Sequence, residues 1–413
     1  MQPSSATGLS GDALGQRFAD LSAFLRAHEG LWRPRPFAHP RLPWAEAHPE
    51  VAAWLEGLSP AQLLALDRDP TPFLDAAPPA FAAWGRARAP LVAVPALPAR
   101  APPLPPRAPR HIPARKWGQI RAFLGAAAPA LEPPVARAVD WCAGKGHLGR
   151  TLAQSSGLRV DLLERNPALC TSGDGLAKEA GAPLCFHPVD VLAEGRAHLD
   201  AHAAAVGLHA CGILWRTLLA DAAATGAAAA VAPCCYHHLG GARRYAPQSA
   251  AGAAAGLELL QGDLRLAVAE ERVVRPALSS ARRHEQRYRL GLDLLLREAS
   301  GDDRYFPQGP LPKALWALPF PQFCREAAEY LGRPLPSVFD PQDALRAAER
   351  RAHQVAALES VRSLFRRPLE LWLVLDAALA QQEAGRRVVV GTFCAEAETP
   401  RNLMILSRPS GAR

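Results

Sequence analysis

A glycine-rich segment at residues 140–150 carries the strongest chemical signal in the sequence. It reads Asp-Trp-Cys-Ala-Gly-Lys-Gly-His-Leu-Gly-Arg and lies between an apolar run typical of a strand and a segment typical of a helix. Gly144 and Gly146 allow the backbone to approach a ligand that any Cβ would exclude. The segment is therefore predicted to be a strand-to-helix turn that holds a nucleotide, the alternative being a turn that merely joins the two elements.

Carboxylates stand where the next two strands are expected to end. Glu164, followed by Arg165, closes the second strand and is placed to accept both hydroxyls of a ribose. Asp190 and Val191 follow a third strand, where the amino group of an adenine would be received. The sequence therefore predicts a nucleoside site along the ends of three strands.

Two residues of the turn decide between the nucleotides that such a site could take. Cys142 occupies the position of the first glycine in a dinucleotide-binding turn, and Asp140 closes the strand before it. A carboxylate at that point repels a pyrophosphate but suits the ammonium of a methionine moiety. This argument favours S-adenosylmethionine over NAD.

Cysteines and histidines follow the next two strands, in the runs Gly-Leu-His-Ala-Cys-Gly (207–212) and Pro-Cys-Cys-Tyr-His-His (233–238). Three interpretations stay open. The cysteines are small buried hydrophobes, or they line an acceptor pocket, or the thiols and imidazoles form a metal or iron–sulfur site. Because no C-x-x-C pair with finger spacing occurs, the sequence assigns no metal ligands. The residues considered for catalysis are His209, Cys211, Cys234, Tyr236 and His237.

A thiol at the end of each of these strands also resembles the pair used by RNA 5-methylcytosine enzymes, in which one thiolate attacks the ring and another helps to release the product. In that alternative Cys211 would act with Cys234 or Cys235. An Asn-Pro-Pro-Tyr motif, usual for methylation of exocyclic base amines, is absent after the fourth strand.

The elements that must position these residues alternate in type. A βαβα pattern implies a parallel sheet covered by helices, and hence an α/β fold. The predicted strands are Val135–Trp141, Leu158–Glu164, Ala204–Leu208 and Ala227–Pro233, and the predicted helices between them are Leu148–Ser155, Pro167–Ala180 and Trp215–Ala224. At the C-terminus a helix, Leu369–Ala384, precedes two antiparallel strands, Arg387–Phe393 and Leu403–Leu406.

The remaining segments are predicted to be accessory. Residues 1–92 carry apolar residues at helical spacing and form a helical domain, and residues 93–113 form a proline-rich linker. The catalytic core spans 114–247. Residues 248–360 form a mostly helical, arginine-rich insertion, and residues 361–413 complete the sheet. Within the insertion we expect a strand pair at Leu257–Val268 and helices at Ser279–Ala299, Pro321–Leu331 and Gln342–Arg362.

Composition excludes several classes of protein. With 413 residues, 49% hydrophobic and 21% charged, the chain can bury a substantial core and is neither disordered nor fibrous. The first residues, MQPSSATGLSGDALG, contain no apolar segment, and no run is long enough to span a membrane. We therefore expect a cytoplasmic protein with reduced cysteines and no membrane partner.

The motifs together resemble one class I methyltransferase family. Asp-x-Cys-x-Gly-Lys-Gly-His-Leu (140–148), Gly-Leu-His-Ala-Cys-Gly (207–212) and Cys-Cys-Tyr-His-His (234–238) are similar to those of methyltransferase-like protein twenty-five and of the tRNA ribose methyltransferases that modify the acceptor stem. The residues 113–116 resemble that family's basic Pro-x-Lys-Lys entry, and 399–402 its Ser-Pro-Arg loop. The resemblance spans 113–239 and 360–407.

This resemblance implies a seven-stranded, Rossmann-like methyltransferase sheet with an antiparallel last strand. It also implies a residue set for S-adenosylmethionine and basic residues, Lys116 and Arg401, for the substrate. The implied cofactor residues are Asp140, Cys142, Ala143, Gly144, Gly146, His147, Leu148, Glu164, Arg165, Asp190 and Val191. The sequence departs from the family at Ile213-Leu214, where relatives often show Asp-Leu, and in lacking the N-terminal zinc module of the tRNA enzymes.

Arginines in the insertion provide the candidate contact with RNA. Residues 272–289 contain Arg272, Arg275, Arg282, Arg283, Arg287 and Arg289. Guanidinium groups pair with phosphates in bidentate fashion, although such a run is also typical of a solvated surface. We expect RNA, either tRNA or rRNA, to be the substrate, with Arg283 and Arg287 binding phosphates. A protein or small-molecule acceptor is the alternative.

Overall fold

The computed structural model describes residues 8–39, 42–132, 134–269 and 276–410, with side chains of 276–279 left aside. Arg272 and Arg275 of the predicted basic run lie outside the described residues. No helix within the described part of the chain combines the length and the apolar character needed to cross a bilayer.

One mixed sheet of eight strands forms the centre of the fold. Its order is β1-β7-β8-β6-β5-β2-β3-β4. The strands are β1 (Leu9–Ser10), β2 (Arg137–Trp141), β3 (Arg159–Leu163), β4 (Leu184–His187), β5 (Ala203–Cys211), β6 (Ala228–Cys234), β7 (Arg386–Thr392) and β8 (Leu403–Pro409).

The directions of the strands confirm the predicted α/β class. Strands β4, β3, β2, β5 and β6 are mutually parallel, and β8 runs antiparallel to both β6 and β7. The antiparallel pair at the C-terminus is therefore confirmed. The sheet has eight strands where seven were expected, because Leu9 and Ser10 pair antiparallel with Val390 and Val389.

Helices fill the connections between these strands and build the rest of the chain. Within the described residues they are α1 (Asp12–Ala27), α2 (Glu29–Trp32), α3 (Pro49–Gly57), α4 (Pro60–Arg68), α5 (Pro79–Val92), α6 (Ala114–Ala127), α7 (His147–Ser156), α8 (Pro167–Ala180), α9 (Val191–Glu194), α10 (Ile213–Thr225), α11 (Ala250–Ala254), α12 (Gln261–Leu264), α13 (Pro276–Ser300), α14 (Phe320–Tyr330), α15 (Pro341–Ser363) and α16 (Arg366–Glu383).

The central strands are buried, which explains their alanine and valine content. Residues 203–206 of β5 and all of β6 are buried, as expected for strands of a parallel sheet covered on both faces. Helix α8 begins where the Asn166 side chain accepts from the Ala168 N–H (3.0 Å), and it ends at Gly181, which has φ +60°. These local signals allowed its bounds to be predicted without error.

The chain divides into two compact units, and their boundaries differ from the predicted ones. The first unit combines the described parts of residues 1–26, 91–269 and 367–413, and it contains the whole sheet. Helix α1 belongs to this unit because Phe18 packs on Trp372 (5.0 Å between ring centroids) and the indole N–H of Trp372 donates to Ser22 Oγ (2.8 Å).

The second unit combines residues 27–90 with the described part of 270–366. Arg362 Nε donates to the Trp32 carbonyl (2.9 Å), and Arg366 forms a largely buried ion pair with Asp67 (2.8 Å). The predicted N-terminal accessory helices and the predicted insertion therefore fold together. Contacts between segments so distant in sequence leave no trace in local periodicity.

Two expectations for the first unit are corrected. The strand pair at Leu257–Val268 is wrong, because this segment forms α12 and a short 3-10 helix, Leu266–Val268. The proline-rich segment is not a free linker. Leu97 is 5% exposed and its N–H donates to the Thr392 carbonyl (2.9 Å), so the segment packs along β7.

Candidate active site

The parallel strands end at one edge of the sheet, and a cleft of about 580 Å³ opens there. Six of the residues singled out from the sequence line the cleft together: Cys142, Glu164, Arg165, Asp190, Val191 and Cys211. They follow β2, β3, β4 and β5. The cleft therefore collects side chains from four strand ends, as the sequence pattern predicts for the carboxyl edge of a doubly wound sheet.

The glycine-rich turn reaches the cleft wall through Cys142, whereas Gly144 and Gly146 are not among the lining residues, and all three have a left-handed backbone. Cys142, Gly144 and Gly146 have φ values of +61°, +60° and +69°. A Cβ at Gly146 would lie 2.5 Å from Cδ2 of Leu162 and 2.8 Å from Cζ of Phe186, which is closer than carbon atoms can approach. Glycine is therefore required at 146 by both dihedral angle and space, and the turn is held tightly over β3 and β4.

Asp140 lies behind this turn. Its side chain is 2% exposed, and its Oδ2 accepts from the Gly149 N–H (2.8 Å) in the first turn of α7. Burial raises the pKa of this carboxyl to about 7. Asp140 is not among the residues of the cleft wall, so the structure places it as a support of the turn, where the sequence argument expected a direct ligand group.

Glu164 and Asp190 reach the cleft from the two next strands. Glu164 accepts from the Gly144 N–H through Oε2 (3.0 Å) and from the Asn166 N–H through Oε1 (2.9 Å). Asp190 caps α9 by accepting from the Leu192 N–H (3.0 Å). Burial and the neighbouring Glu164 raise the pKa of the Cys142 thiol to about 12. The wall is therefore acidic and holds a protonated thiol.

Three other turn residues are not on the cleft wall. Ala143 is partly buried and its N–H donates to the Leu163 carbonyl (3.0 Å), while Leu148 is buried in the core. His147 is 8% exposed, and burial lowers its pKa to about 4. Its Nδ1 has no hydrogen-bond partner among the described residues. These residues shape the turn from its inner side.

His209 occupies an irregular point of β5. The register shifts between Leu208 and Ala210, and His209 takes a φ of +59°, rare for a residue with a Cβ. Its Nε2 lies 3.2 Å from Oε1 of Gln119, whose Nε2 donates to the Glu398 carbonyl (3.0 Å). The Gln119 orientation makes His209 Nε2 the donor and leaves Nδ1 as the acceptor. Burial lowers the His209 pKa to about 4, so the imidazole is neutral at pH 7.

Three thiols converge where β5 and β6 end. Cys211 and Cys234 are register partners with sulfurs 3.5 Å apart, and the sulfurs of Cys211, Cys234 and Cys235 all lie within 4.8 Å of one another. Cys235 has a φ of +48°. Hydrogen bonds from the other two thiols lower the Cys235 pKa, whereas the Cys234 pKa is raised. Cys234 is 6% exposed, which does not favour it as a nucleophile toward a base.

Tyr236 is placed away from the role predicted for it. The ring is 2% exposed and its hydroxyl donates to Glu370 Oε1 (3.1 Å), a fully buried carboxylate that also pairs with Arg367 and Arg401. Burial raises the Tyr236 pKa well above its ordinary value. Tyr236 therefore anchors the segment after β6 in the interior and does not line the cleft.

The basic residues predicted for the substrate have different surroundings. Lys116 is exposed near the start of α6, next to exposed Arg115. Arg401 is 9% exposed and its Nη1 lies 3.0 Å from Glu370, so the structure does not offer its guanidinium to a substrate. In the second unit, Arg287 on α13 pairs with Glu349 (3.1 Å), and Arg283 is exposed on the same helix.

Several cleft residues were not among the site residues predicted from the sequence. His238, Gly240 and Gly241 follow β6, and Gln261 comes from α12, which the sequence pattern presented as a strand. Gln261 Nε2 donates to the His237 carbonyl (3.1 Å), so it also fixes the segment after β6. The paired glycines after the Cys-Cys-Tyr-His-His run were the one feature that could have indicated a loop at the cleft.

Comparison with known families agrees with this architecture. The eight-stranded, mostly parallel sheet defines a Rossmann-like α/β fold with an open cleft at the carboxyl edge of its parallel strands. Residues 115–242 match a family model described as a methyltransferase domain, which covers the segment from α6 to the loop after β6. The match supports a methyltransferase domain in this part of the chain. Searches of curated proteins and of solved structures gave no match.

Proposed function

We propose that this methyltransferase uses S-adenosylmethionine as methyl donor and RNA as acceptor. The observation that carries the donor assignment is the single cleft lined by Cys142, Glu164 and Asp190, which follow three adjacent parallel strands. Its volume of about 580 Å³ suits a nucleoside with an amino-acid arm.

The residues present fit this donor. A Cβ at Gly144 would meet no protein atom within 4 Å, so this position leaves space for a ligand beside the turn, and Glu164 on the wall can accept hydroxyl groups of a ribose. Asp190, at the end of the next connection, is available to the adenine amino group. The acidic wall disfavours a pyrophosphate, and the charge of Asp140 extends to Cys142 from behind the turn.

When bound, S-adenosylmethionine supplies an activated methyl group on a sulfonium. The residues of the chain then have to align the acceptor and receive its proton. His209 is not among the residues that line the cleft; it is neutral, and Nδ1 is left as its hydrogen-bond acceptor because Gln119 engages Nε2. We assign it the positioning of an acceptor hydroxyl, because a pKa of about 4 makes it a weak base at neutral pH.

RNA is supported as acceptor by the exposed cations near His209. Arg115 and Lys116 are exposed on α6 about one turn before Gln119, which contacts His209, so they are placed to bind phosphates near it. The net charge of +8 acts in the same direction. A protein or a small molecule remains the alternative acceptor, and methyl transfer from labelled donor in RNase-treated extract would identify it.

The donor assignment is tested by calorimetry with S-adenosylhomocysteine on Glu164→Ala. Loss of the hydrogen bonds to a ribose is expected to weaken binding about 100-fold, from the 1.5–3 kcal/mol typical of a charged hydrogen bond. Asp174→Ala is the matched control, because this carboxylate on α8 is not part of the cleft wall and pairs with Lys178. Tight binding of NAD together with no heat from the homocysteine compound would refute the proposal.

A further inference from the structure

The three thiols at the ends of β5 and β6 form a donor set that methyl transfer does not use. Cys211 and Cys234 face each other across two parallel strands because they are register partners, and Cys235 is brought to them by its left-handed backbone. All three are free cysteines. The strand pairing of Cys211 with Cys234 and the positive φ of Cys235 together bring the three sulfurs to one place.

The spacing of the sulfurs matches that of a tetrahedral metal site. Zinc–sulfur bonds of about 2.3 Å at the tetrahedral angle place neighbouring sulfurs roughly 3.8 Å apart. The sulfurs of Cys211 and Cys234 lie 3.5 Å apart, and no two sulfurs of the set are more than 4.8 Å apart, so the distances are compatible with that value. Thiolate sulfur is the ligand that selects zinc over magnesium or calcium.

His237, two residues after Cys235, carries a buried imidazole nitrogen without a hydrogen-bond partner among the described residues, and it lies outside the 4.8 Å group of the three sulfurs. Nδ1 of His237 is buried and has no hydrogen bond within the part of the chain that the structure describes. His237 and Cys235 are near enough for their charges to affect each other. Gln261 holds the His237 carbonyl, so the residue is fixed at its backbone. A buried nitrogen of this kind is costly unless a ligand satisfies it.

We propose that Cys211, Cys234 and Cys235 bind one zinc ion, and that the His237 side chain turns toward the ion to supply Nδ1 as the fourth ligand. Binding releases the thiol protons and joins the end of β5 to the segment after β6. The ion holds Cys211, and with it one side of the cleft, in place. The zinc site touches the donor cleft through Cys211, but its ligands do not include Glu164 or Asp190, on which the donor assignment rests.

The proposal is tested by the metal content of the full-length protein, purified without chelator or metal-affinity resin. Mass spectrometry is expected to find about one zinc per chain in the wild type. Replacing the zinc with cobalt should give the near-ultraviolet absorption of thiolate-to-cobalt charge transfer. Cys235→Ser should lose the zinc and this absorption, and His237→Ala should release zinc to a chelator at least about tenfold faster, because three ligands hold the ion less firmly than four.

Matched controls separate metal loss from misfolding. Cys170→Ser and Cys324→Ser remove buried cysteines that lie outside the thiol set and should keep the zinc. Retention of zinc by Cys235→Ser would overturn the proposal. So would a reduced wild type that carries no zinc and gives no charge-transfer band with cobalt, a measurement that needs no variant. Because donor binding is measured by calorimetry, failure of either proposal can be recognised without the other.

Discussion

At the scale of single residues, burial assigns different roles to acids that look equivalent in the sequence. Glu164 keeps its carboxylate at the cleft, where two backbone N–H groups orient it. Asp140, near the end of β2, is buried, and it supports α7 by accepting a hydrogen bond from the Gly149 N–H. Glu370 is fully buried between two arginines. The sequence identified the first two acids as site residues because both end strands, but the depth of Asp140 depends on how tightly the turn folds over it.

The pKa of Asp140 makes a prediction about stability. This group ionises near 3.8 in the unfolded chain and near 7 in the folded one, so its contribution is greatest below pH 4 and is lost as pH rises toward 7. Asp140→Asn keeps an acceptor for the Gly149 N–H without the charge. Between pH 5 and pH 8 the free energy of unfolding of the wild type should therefore fall by about 3 kcal/mol relative to the variant.

Urea denaturation at the two pH values measures this difference, and the comparison cancels the titration of all other groups. Asp174→Asn serves as the control, because it removes a partly exposed carboxylate that pairs with Lys178 on α8. A wild-type protein that gains stability relative to Asp140→Asn with rising pH would show that Asp140 is ionised in the folded state well below pH 7.

At the scale of elements, helix α7 is bounded by two left-handed glycines with different surroundings. Gly146 precedes it with φ +69° and Gly157 follows it with φ +71°. A Cβ at Gly157 would meet no atom within 4 Å, whereas one at Gly146 would collide with Leu162 and Phe186. At both positions a side chain would be strained by the left-handed backbone, but only at Gly146 would it also collide with neighbouring side chains. Comparing the two positions therefore separates backbone strain from overpacking.

Alanine substitutions at Gly157 and Gly146 are expected to lower the free energy of unfolding by different amounts. Gly157→Ala should cost about 1 kcal/mol of unfolding free energy, the penalty for a side chain in the left-handed region. Gly146→Ala should cost about 3 kcal/mol or more, because overpacking adds to that penalty, and it should also abolish donor binding in calorimetry. Equal costs for the two variants would mean that the turn is not closely packed on β3 and β4.

The elements also show how far the sequence could reach. Alternating apolar segments and cap residues predicted the parallel strands, α8, α16 and the antiparallel closing pair, since these depend on local pattern. The bulge that turns His209 toward Gln119 could not be predicted, because it depends on the register of β5 against β6. For the same reason the burial of Tyr236 against Glu370, a residue far away in the chain, was not visible in the motif.

At the scale of the whole molecule, the chain builds its second unit from two distant segments. Residues 27–90 and 270–366 associate through buried arginines whose partners lie hundreds of positions away, such as Arg362 on Trp32. Composition can divide a sequence only into contiguous segments, here an N-terminal accessory domain and an insertion. The joining of these segments follows from their packing, which no single segment encodes.

Charge is the property of the whole molecule that bears on the acceptor. With a net charge of +8, the protein should bind RNA with an affinity that falls steeply with salt. Arg115→Ala/Lys116→Ala should weaken RNA binding and reduce the slope of log K against log salt by about 1.5, since two phosphate contacts are lost. Arg283→Ala/Arg287→Ala should also reduce the slope, but less, because Arg287 already pairs with Glu349.

Filter binding of tRNA and rRNA fragments over a range of salt concentrations measures these slopes. Arg387→Ala is the control, because this exposed arginine is the second residue of β7, at the amino edge of the parallel sheet and opposite the cleft. Its removal lowers the net charge by one and should leave the slope nearly unchanged. If all three variants lower the slope in proportion to the charge removed, RNA is attracted by net charge alone. The cations on α6 would then have no special part in holding the acceptor beside His209.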